Sequence, residues 1–155
     1  MKLILREYLA SLREREELDA ILPDLLSELG FTVYSRPARG TTQHGVDVAA
    51  VSPVIDGERK VYLLSIKKGD LTRQDWDGPL QALRPSLNEI LDVYIPTRIP
   101  AKYAGLNIVI CICMGGDMQE QVRVNVEQFV KATACANISF EERNGDKSAG
   151  LLLDG

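Results

Sequence analysis

Two runs of alternating apolar and polar residues lie on either side of the dipeptide Asp56-Gly57 in the middle of the chain. Asp-Gly between such runs is typical of a β-hairpin, because both residues tolerate the backbone angles of a tight turn. Asp47 in the first run, and Ser65 and Lys67 in the second, interrupt the apolar pattern. Burying a charge in a half-buried strand is costly unless it meets an opposite charge, a metal ion or a charged ligand. The pattern therefore predicts that these polar residues form a site.

The length of the hairpin loop decides which face of the sheet Asp47 occupies, because side chains alternate along a strand. A two-residue loop would pair Asp47 with Ile66 and direct it away from Lys67. A three-residue loop would instead place Asp47 opposite Ser65, on the face that carries Lys67. We predict the three-residue loop, formed by residues 55–57, with its glycine in the left-handed conformation of a bulge.

Apolar spacing elsewhere predicts helices and further strands around this hairpin. A helical pattern ends at Gly30, and Thr72 with Asp75 three residues later is a cap for a second helical region. The other predicted elements are a strand at 31–35, irregular helix up to 94, a buried strand at 106–114, a helix capped by Asp117 with Glu120, and an outer strand at 137–142. Their order, α-β-β-β-α-β-α-β, predicts an α/β fold with a mixed β-sheet flanked by helices on both faces.

The composition is that of a single globular domain. The 155 residues, 45% hydrophobic and 26% charged, can bury a sizeable core but are too few for two ordinary domains. We predict one domain over residues 1–155, and we expect the three leucines at 151–153 to pack on it or on another part of a longer polypeptide. No stretch approaches the length of a membrane span or a signal peptide, so we expect a cytoplasmic protein without membrane contact. Three cysteines, an odd number, fit no disulfide framework.

The net charge of -4 argues against a surface coated for nonspecific nucleic-acid binding. Its distribution is uneven, because eight basic and six acidic residues lie between Arg36 and Arg84, whereas the flanks carry ten basic and sixteen acidic residues. We therefore expect a phosphate-containing partner to contact the middle of the chain.

Three short motifs follow one another in an order that resembles a known family. Residues 29–33 read Leu-Gly-Phe-x-Val, residues 45–48 read Gly-Val-Asp-Val, and residues 65–70 read x-Ile-Lys-x-Gly-Asp. Together they resemble the PD-(D/E)XK nuclease superfamily, and within it most closely the Mrr-like restriction endonuclease domains. The likeness covers residues 11–77, and the αβββαβ order is similar to the core of that restriction-endonuclease-like fold.

The resemblance implies a DNA endonuclease that hydrolyses phosphodiester bonds with Mg²⁺ or Mn²⁺, and by analogy a role in restriction or anti-phage defence. The metal would be bound by Asp47, by the main-chain carbonyl of Ile66 and by an acid of the first helix, for which Glu17 is the best match. Lys67 would position the attacking water and stabilise charge on the phosphate. Cutting both strands of DNA usually needs two active sites, so we expect a homodimer or a larger multidomain assembly.

Ser65 departs from the family pattern, which usually has Glu, Asp or Gln two residues before the lysine. A neutral hydroxyl is a weak metal ligand, so either another acid compensates or the site is impaired. Glu17 is the expected compensating catalytic acid, with Glu14 and Asp19 as alternatives, because it shares a helical face with the apolar Ile21. The alternative functions are a catalytically impaired nuclease-fold module that binds DNA or a partner protein, and a scaffold for another domain.

Basic residues near the motifs are candidates for binding nucleic-acid phosphates. These are Arg36, Arg39, Lys68 and Arg73. The site residues also have simpler interpretations: Asp47 as a turn residue, and Lys67 and Lys68 as charges that keep an edge strand from aggregating.

Overall fold

The computed structural model describes residues 18–35, 45–67, 71–78, 82–114 and 118–143, which are called the described residues below. Their helices are α1 (Leu18–Glu28), α2 (Arg73–Asp77), α3 (Leu83–Glu89), α4 (Ile95–Arg98) and α5 (Glu120–Thr133). Their strands are β1 (Thr32–Ser35), β2 (Val48–Val51), β3 (Lys60–Lys67), β4 (Asn107–Met114) and β5 (Ile138–Arg143). A π-helical turn, Ile90–Tyr94, joins α3 to α4, so helical structure continues four residues beyond the predicted end at Tyr94.

The five strands form one mixed sheet in the order β1-β2-β3-β4-β5. Strand β2 pairs antiparallel with β1 and β3, whereas β3, β4 and β5 run parallel to one another. Parallel neighbours cannot be joined by a short turn, and the helices between β3 and β5 provide the crossovers. The predicted α/β fold, a mixed sheet flanked by helices, is confirmed.

Apolar side chains cover both faces of the sheet, as the unbroken apolar run of β4 predicts. On one face, Ile110 and Ile112 pack with residues of α3 and α5 in a large cluster. On the other face, Cys111 and Cys113 pack with Leu26 of α1 in a smaller cluster. Each fully buried side chain of this size contributes about 1.5–3 kcal/mol to folding. The central strands are therefore rigid supports for polar residues at their ends.

The hairpin turn differs from the prediction. The backbones of Ile55 and Glu58 exchange hydrogen bonds of 2.9 and 3.1 Å, so the loop consists of Asp56 and Gly57 alone. Both loop residues have positive φ, 53° and 83°, as a type I′ turn requires. The predicted three-residue loop is therefore wrong.

The predicted strand register is nevertheless correct, because a bulge compensates for the shorter loop. Val48 pairs with Leu64, and this register continues to the hydrogen bond from the Ser52 N–H to the Lys60 carbonyl. Between that bond and the turn, residues 53 and 54 face the single residue 59. Pro53 has no N–H to give to the ladder, which favours an irregularity here. The extra residue moves the register back by one, so Val48 lies opposite Leu64 as the three-residue loop required.

Local signals for the ends of helices are confirmed in two cases. Gly30 follows α1 with φ of 93°, and the Phe31 N–H donates to the Leu26 carbonyl at 3.0 Å, as in a Schellman motif. Thr72 and Asp75 form the predicted capping box at the start of α2. Helix α5 begins directly after Gln119, whose side chain makes no cap hydrogen bond, and the predicted cap residue Asp117 lies outside the described residues.

Gly45 allows the chain to pass close to α3 before it enters β2. Its φ is 85°, and a Cβ added there would collide with the backbone carbonyl oxygen of Ser86. Gly57 has almost the same φ, 83°, but a Cβ there would meet nothing within 4 Å. The two glycines therefore separate the conformational cost of a side chain from its steric cost.

We predict that Gly57→Ala lowers the free energy of unfolding by about 1 kcal/mol, the cost of the left-handed conformation. Gly45→Ala should lower it by about 3 kcal/mol or more, because the collision with Ser86 adds to that cost. Urea denaturation of both variants measures the difference. Equal losses would contradict the close packing of Gly45 on α3.

Candidate active site

The directions of the strands bring the polar residues together at one edge of the sheet. This edge is formed by the ends of the strands and not by an edge strand. The carboxyl ends of β3 and β4 lie at the same edge, since these strands are parallel. Strand β2 runs the opposite way, so the chain enters it at that edge. Asp47, just before β2, and Lys67, the last residue of β3, are therefore brought together. Ligands of open α/β sheets commonly bind outside the carboxyl ends of the strands.

Asp47 is attached to β3 through both its backbone and its side chain. Its N–H donates to the Leu64 carbonyl at 2.8 Å. Its Oδ2 accepts a hydrogen bond from the Ile66 N–H at 2.7 Å. A hydrogen bond to a charged carboxylate is stronger than one between neutral groups, so this contact fixes the carboxylate at the end of the strand. Asp47 is half-buried, and its hydrogen bonds attach it to β3 rather than leaving it in a solvent-exposed turn.

Lys67 is half-buried, and its pKa reflects competing influences. Burial lowers the pKa of the ammonium below the usual value for lysine, while the negative charges of Asp47 and Asp75 act to raise it. The loss of water prevails. Strand β3 pairs with β2 on one side and β4 on the other, so the interpretation of Lys67 as an edge-strand charge is wrong. A lysine with a shifted pKa beside specific carboxylates is typical of a functional site.

Ser65 lies on the same face of β3 as Lys67, opposite Ile112 of β4. Its side chain is buried, with 2% of the residue exposed. Within the part of the chain that the structure describes, its hydroxyl makes no side-chain hydrogen bond. Buried hydroxyls normally have a partner, and one without a partner costs about 1–3 kcal/mol. Ser65 therefore offers a polar atom to a ligand at this edge.

Asp75 is a second carboxylate whose negative charge acts to raise the pKa of Lys67, and sequence reasoning did not single it out. The spacing from Thr72 identified it only as part of a helix cap, and it has that role. The signal that would have found it is its position eight residues after Lys67, at the start of the helix that follows the strand. A residue can cap a helix and still act on a neighbouring charge.

Several other predicted site residues cannot be placed at this edge. Glu17, Arg36, Arg39 and Lys68 lie outside the described residues. Arg73 is exposed on the first turn of α2, two residues before Asp75. Among the described residues, no group of three or more His, Cys, Asp and Glu side chains is placed to hold a metal ion. Of the carboxylates that the structure describes, those of Asp47 and Asp75 act on the pKa of Lys67.

The similarity of this chain to known proteins is low. No family model and no curated protein matches the chain. Among solved structures, the chain is similar to the MspJI restriction endonuclease, determined in complex with a 27-mer oligonucleotide, with a TM-score of 0.39 and 14% sequence identity. The similarity covers 96% of this chain, which spans only 30% of the length of that one. Separately, none of the helices in the described ranges has the length and apolar character needed to cross a membrane.

Replacing Asp47 with Asn removes one of the two described carboxylates that act on Lys67 but keeps the shape of the side chain. We predict that the pKa of Lys67 then falls further, because the ammonium loses a favourable neighbour while its burial is unchanged. The measurement is the pH dependence of the Lys67 side-chain chemical shifts by NMR. Asp92→Asn is the control, since Asp92 is exposed and does not contribute to the pKa shift of Lys67. A Lys67 pKa that is the same in Asp47→Asn and in the unmodified chain would contradict the pairing.

Proposed function

We propose that this chain is a nuclease domain that hydrolyses phosphodiester bonds of DNA with the help of Mg²⁺ or Mn²⁺. One observation carries the proposal: the Asp47 carboxylate and the Lys67 ammonium converge at the end of β3. The carboxylate is fixed there by the Ile66 N–H. The PD-(D/E)XK motif brings an acid and a lysine together from neighbouring strands. In this chain Asp47 and Lys67 lie at the same edge of the sheet.

The donor atoms at this edge suit a hard divalent cation. The Asp47 carboxylate, the Ile66 carbonyl and the Ser65 hydroxyl all offer oxygen, which Mg²⁺ and Mn²⁺ prefer. The Ser65 hydroxyl is buried and makes no hydrogen bond to a described side chain, so a ligand or its hydration water would satisfy it. Asp47 and Ile66 would hold the ion, with the first-helix acid Glu17 as the further predicted ligand.

In the hydrolysis, water adds to phosphorus and one P–O ester bond breaks. A divalent ion held by Asp47 and the Ile66 carbonyl would supply positive charge against the phosphate and would lower the pKa of a bound water. Lys67 adds a second positive charge, which binds a phosphate oxygen and balances the negative charge that develops on the reacting group. The Ile66 N–H keeps Asp47 in position throughout, so the carboxylate does not have to reorganise during the reaction.

Contacts to the DNA backbone would come from basic residues around this edge. Arg73 is exposed on the first turn of α2 and is available to a phosphate. In sequence, Arg36 directly follows β1 and Lys68 directly follows β3, and together with Arg39 they are the further phosphate contacts that we propose. A nuclease that cuts both strands would act as a homodimer or within a larger assembly, and restriction or anti-phage defence is the context that we propose for it.

A second function, binding of DNA or of a partner protein without cleavage, is favoured by Ser65. This residue is neutral where a carboxylate is expected, and the described residues provide no cluster of three or more metal-ligating side chains. A site with few carboxylates attracts a divalent ion weakly. In that case the fold would hold its partner through the basic surface alone.

Nicking of supercoiled plasmid in the presence of Mg²⁺ or Mn²⁺ tests the proposal. We predict nicking that a chelator abolishes, and a loss of at least about 10²-fold in rate for Asp47→Ala and for Lys67→Ala. Lys60→Ala is the matched control, because Lys60 lies at the other end of β3 and pairs at the surface with Glu58 at 3.6 Å. This variant should cut like the unmodified chain.

Two results would overturn the nuclease proposal. Cleavage that survives in both Asp47→Ala and Lys67→Ala would show that this edge is not the active site. Binding of DNA without cleavage, unchanged by chelator, would establish the binding module instead.

Loss of folding must be separated from loss of catalysis in this assay. Asp47→Ala leaves the Ile66 N–H without its acceptor, so we expect this variant to lose about 1–3 kcal/mol of stability. Circular dichroism at the assay temperature measures the folded fraction, and the nicking rate is compared per folded molecule. A stability equal to that of the unmodified chain would contradict the importance of the hydrogen bond.

A further inference from the structure

Three tyrosines from separate parts of the chain form a cluster next to the outer strand β1. Tyr34 lies on β1, Tyr94 is the last residue of the π-helical turn, and Tyr103 precedes β4. The ring centres of Tyr34 and Tyr103 lie 5.5 Å apart. The hydroxyls of Tyr34 and Tyr94 are within hydrogen-bonding distance, at 3.4 Å. Turns of the π-helical kind are rare and often lie at functional sites.

Two cations are held against the ring of Tyr103. The guanidinium carbon of Arg59 lies 5.8 Å from the centre of this ring, and the ammonium nitrogen of Lys102 lies 5.2 Å from it. The electrons of an aromatic face attract a cation. Because the ring carries no net charge, the contact orients both side chains without cancelling their charges. Tyr103 thus gathers two positive charges at one place on the surface.

Tyr103 also carries a polar group of its own. The residue is 7% exposed, and within the part of the chain that the structure describes its hydroxyl makes no side-chain hydrogen bond. Buried hydroxyls normally have a partner. An unused hydroxyl and two cations therefore lie together.

The two cations have no counter-charge among the described residues. Both side chains are exposed, and neither forms an ion pair with a described carboxylate. Other arginines of this chain are paired, such as Arg84 with Asp77 at 3.1 Å. Two positive charges near one ring repel each other, and an anion bound between them would remove that repulsion.

The sheet separates Arg59 from the acid that precedes it in sequence. Side chains alternate along a strand, so Arg59 shares a face with Val61, which packs in the same cluster as Tyr103. Glu58 and Lys60 point to the opposite face and pair with each other at 3.6 Å. The negative charge of Glu58 is therefore matched on the other side of the sheet.

The chain around Lys102 is positively charged as well. Between Asp92 and Asp117 the sequence contains two basic residues, Arg98 and Lys102, and no acidic one. Arg98 is exposed at the end of α4. Its positive charge acts to lower the pKa of Tyr94, although burial keeps that pKa above its usual value. In a chain of net charge -4, this surface is an exception.

We propose that Arg59 and Lys102, held at Tyr103, bind the phosphate backbone of DNA at a surface separate from the candidate active site. Exposed arginine and lysine side chains without carboxylate partners suit phosphate oxygens. The choice of DNA as the anion rests on the proposed function. Arg59 directly precedes β3 and Lys67 ends it, so the two places lie roughly 26 Å apart at about 3.3 Å per residue. A duplex has to extend over roughly eight base pairs to reach both.

Fluorescence anisotropy with a labelled duplex of about 20 base pairs, in chelator and at several salt concentrations, tests this surface without cleavage. Each phosphate contact contributes about 0.9 to the slope of log affinity against log salt concentration. We therefore expect the double substitution Arg59→Ala with Lys102→Ala to make that slope shallower by about 2. At about 0.1 M salt it should raise the Kd roughly 10- to 100-fold.

Two further variants are the controls. Lys60→Ala removes a positive charge next to Arg59 in sequence, but this charge is paired with Glu58 on the other face. It should leave the slope unchanged. Arg59→Lys combined with Lys102→Arg keeps both charges and should bind DNA nearly as the unmodified chain does. Circular dichroism confirms that each variant is folded.

The outcomes distinguish this surface from the proposed nuclease activity. If the unmodified chain nicks plasmid while the double alanine variant keeps the full salt slope, the surface is overturned and the nuclease stands. If the chain does not nick plasmid but its DNA binding depends on Arg59 and Lys102, the surface stands and the nuclease falls. No DNA binding by the unmodified chain overturns the surface.

A poly-glutamate peptide tests whether the anion is an acidic protein instead of DNA. We expect the peptide to bind more weakly than the duplex at equal concentration of negative charge. Peptide binding that requires Arg59 and Lys102, together with DNA binding that does not, would overturn the assignment to DNA.

Discussion

The hydrogen bond from the Ile66 N–H to the Asp47 carboxylate is the contact on which the arrangement of this sheet edge depends. It connects the segment that leads into β2 with the end of β3, and it holds a negative charge close to Lys67. Burying either charged group without the other would carry a large desolvation cost, and each group lowers that cost for its partner. The pKa of Lys67 is nevertheless lowered, so the compensation is incomplete. The ammonium therefore gains from a further negative group, and a phosphate is such a group.

The rigidity of the central strands explains how such a contact is maintained. Strand β3 is paired on both sides, and its inner residues are buried between the two apolar clusters. Polar groups carried at the end of such a strand are positioned more accurately than groups on a free loop. Gly45 adds a second restraint, because its close approach to α3 directs the chain towards Asp47. The position of the carboxylate is thus determined by packing on one side and by hydrogen bonding on the other.

Features with a local cause were predictable from the sequence, and features that depend on pairing were not. Gly30, the Thr72 cap and the buried run of β4 are each determined by a few neighbouring residues. The register of the hairpin was predicted correctly for the wrong reason, since the bulge at residues 53–54 replaces the longer loop. Asp75 was missed because its local role as a cap already explained it. The first-helix acid, Glu17, lies outside the described residues and stays a prediction.

The bulge beside the hairpin turn has a practical consequence. It absorbs the one-residue difference between the register at the turn and the register of the paired strands. The register at the far end of the strands therefore does not follow from the turn alone. Val54 and Ile55 at the tip are 66% and 50% exposed. At about 3.3 Å per residue, the tip lies roughly 30 Å from Lys67 along β3. A label for immobilisation attached at this point would leave the opposite end of the strands undisturbed.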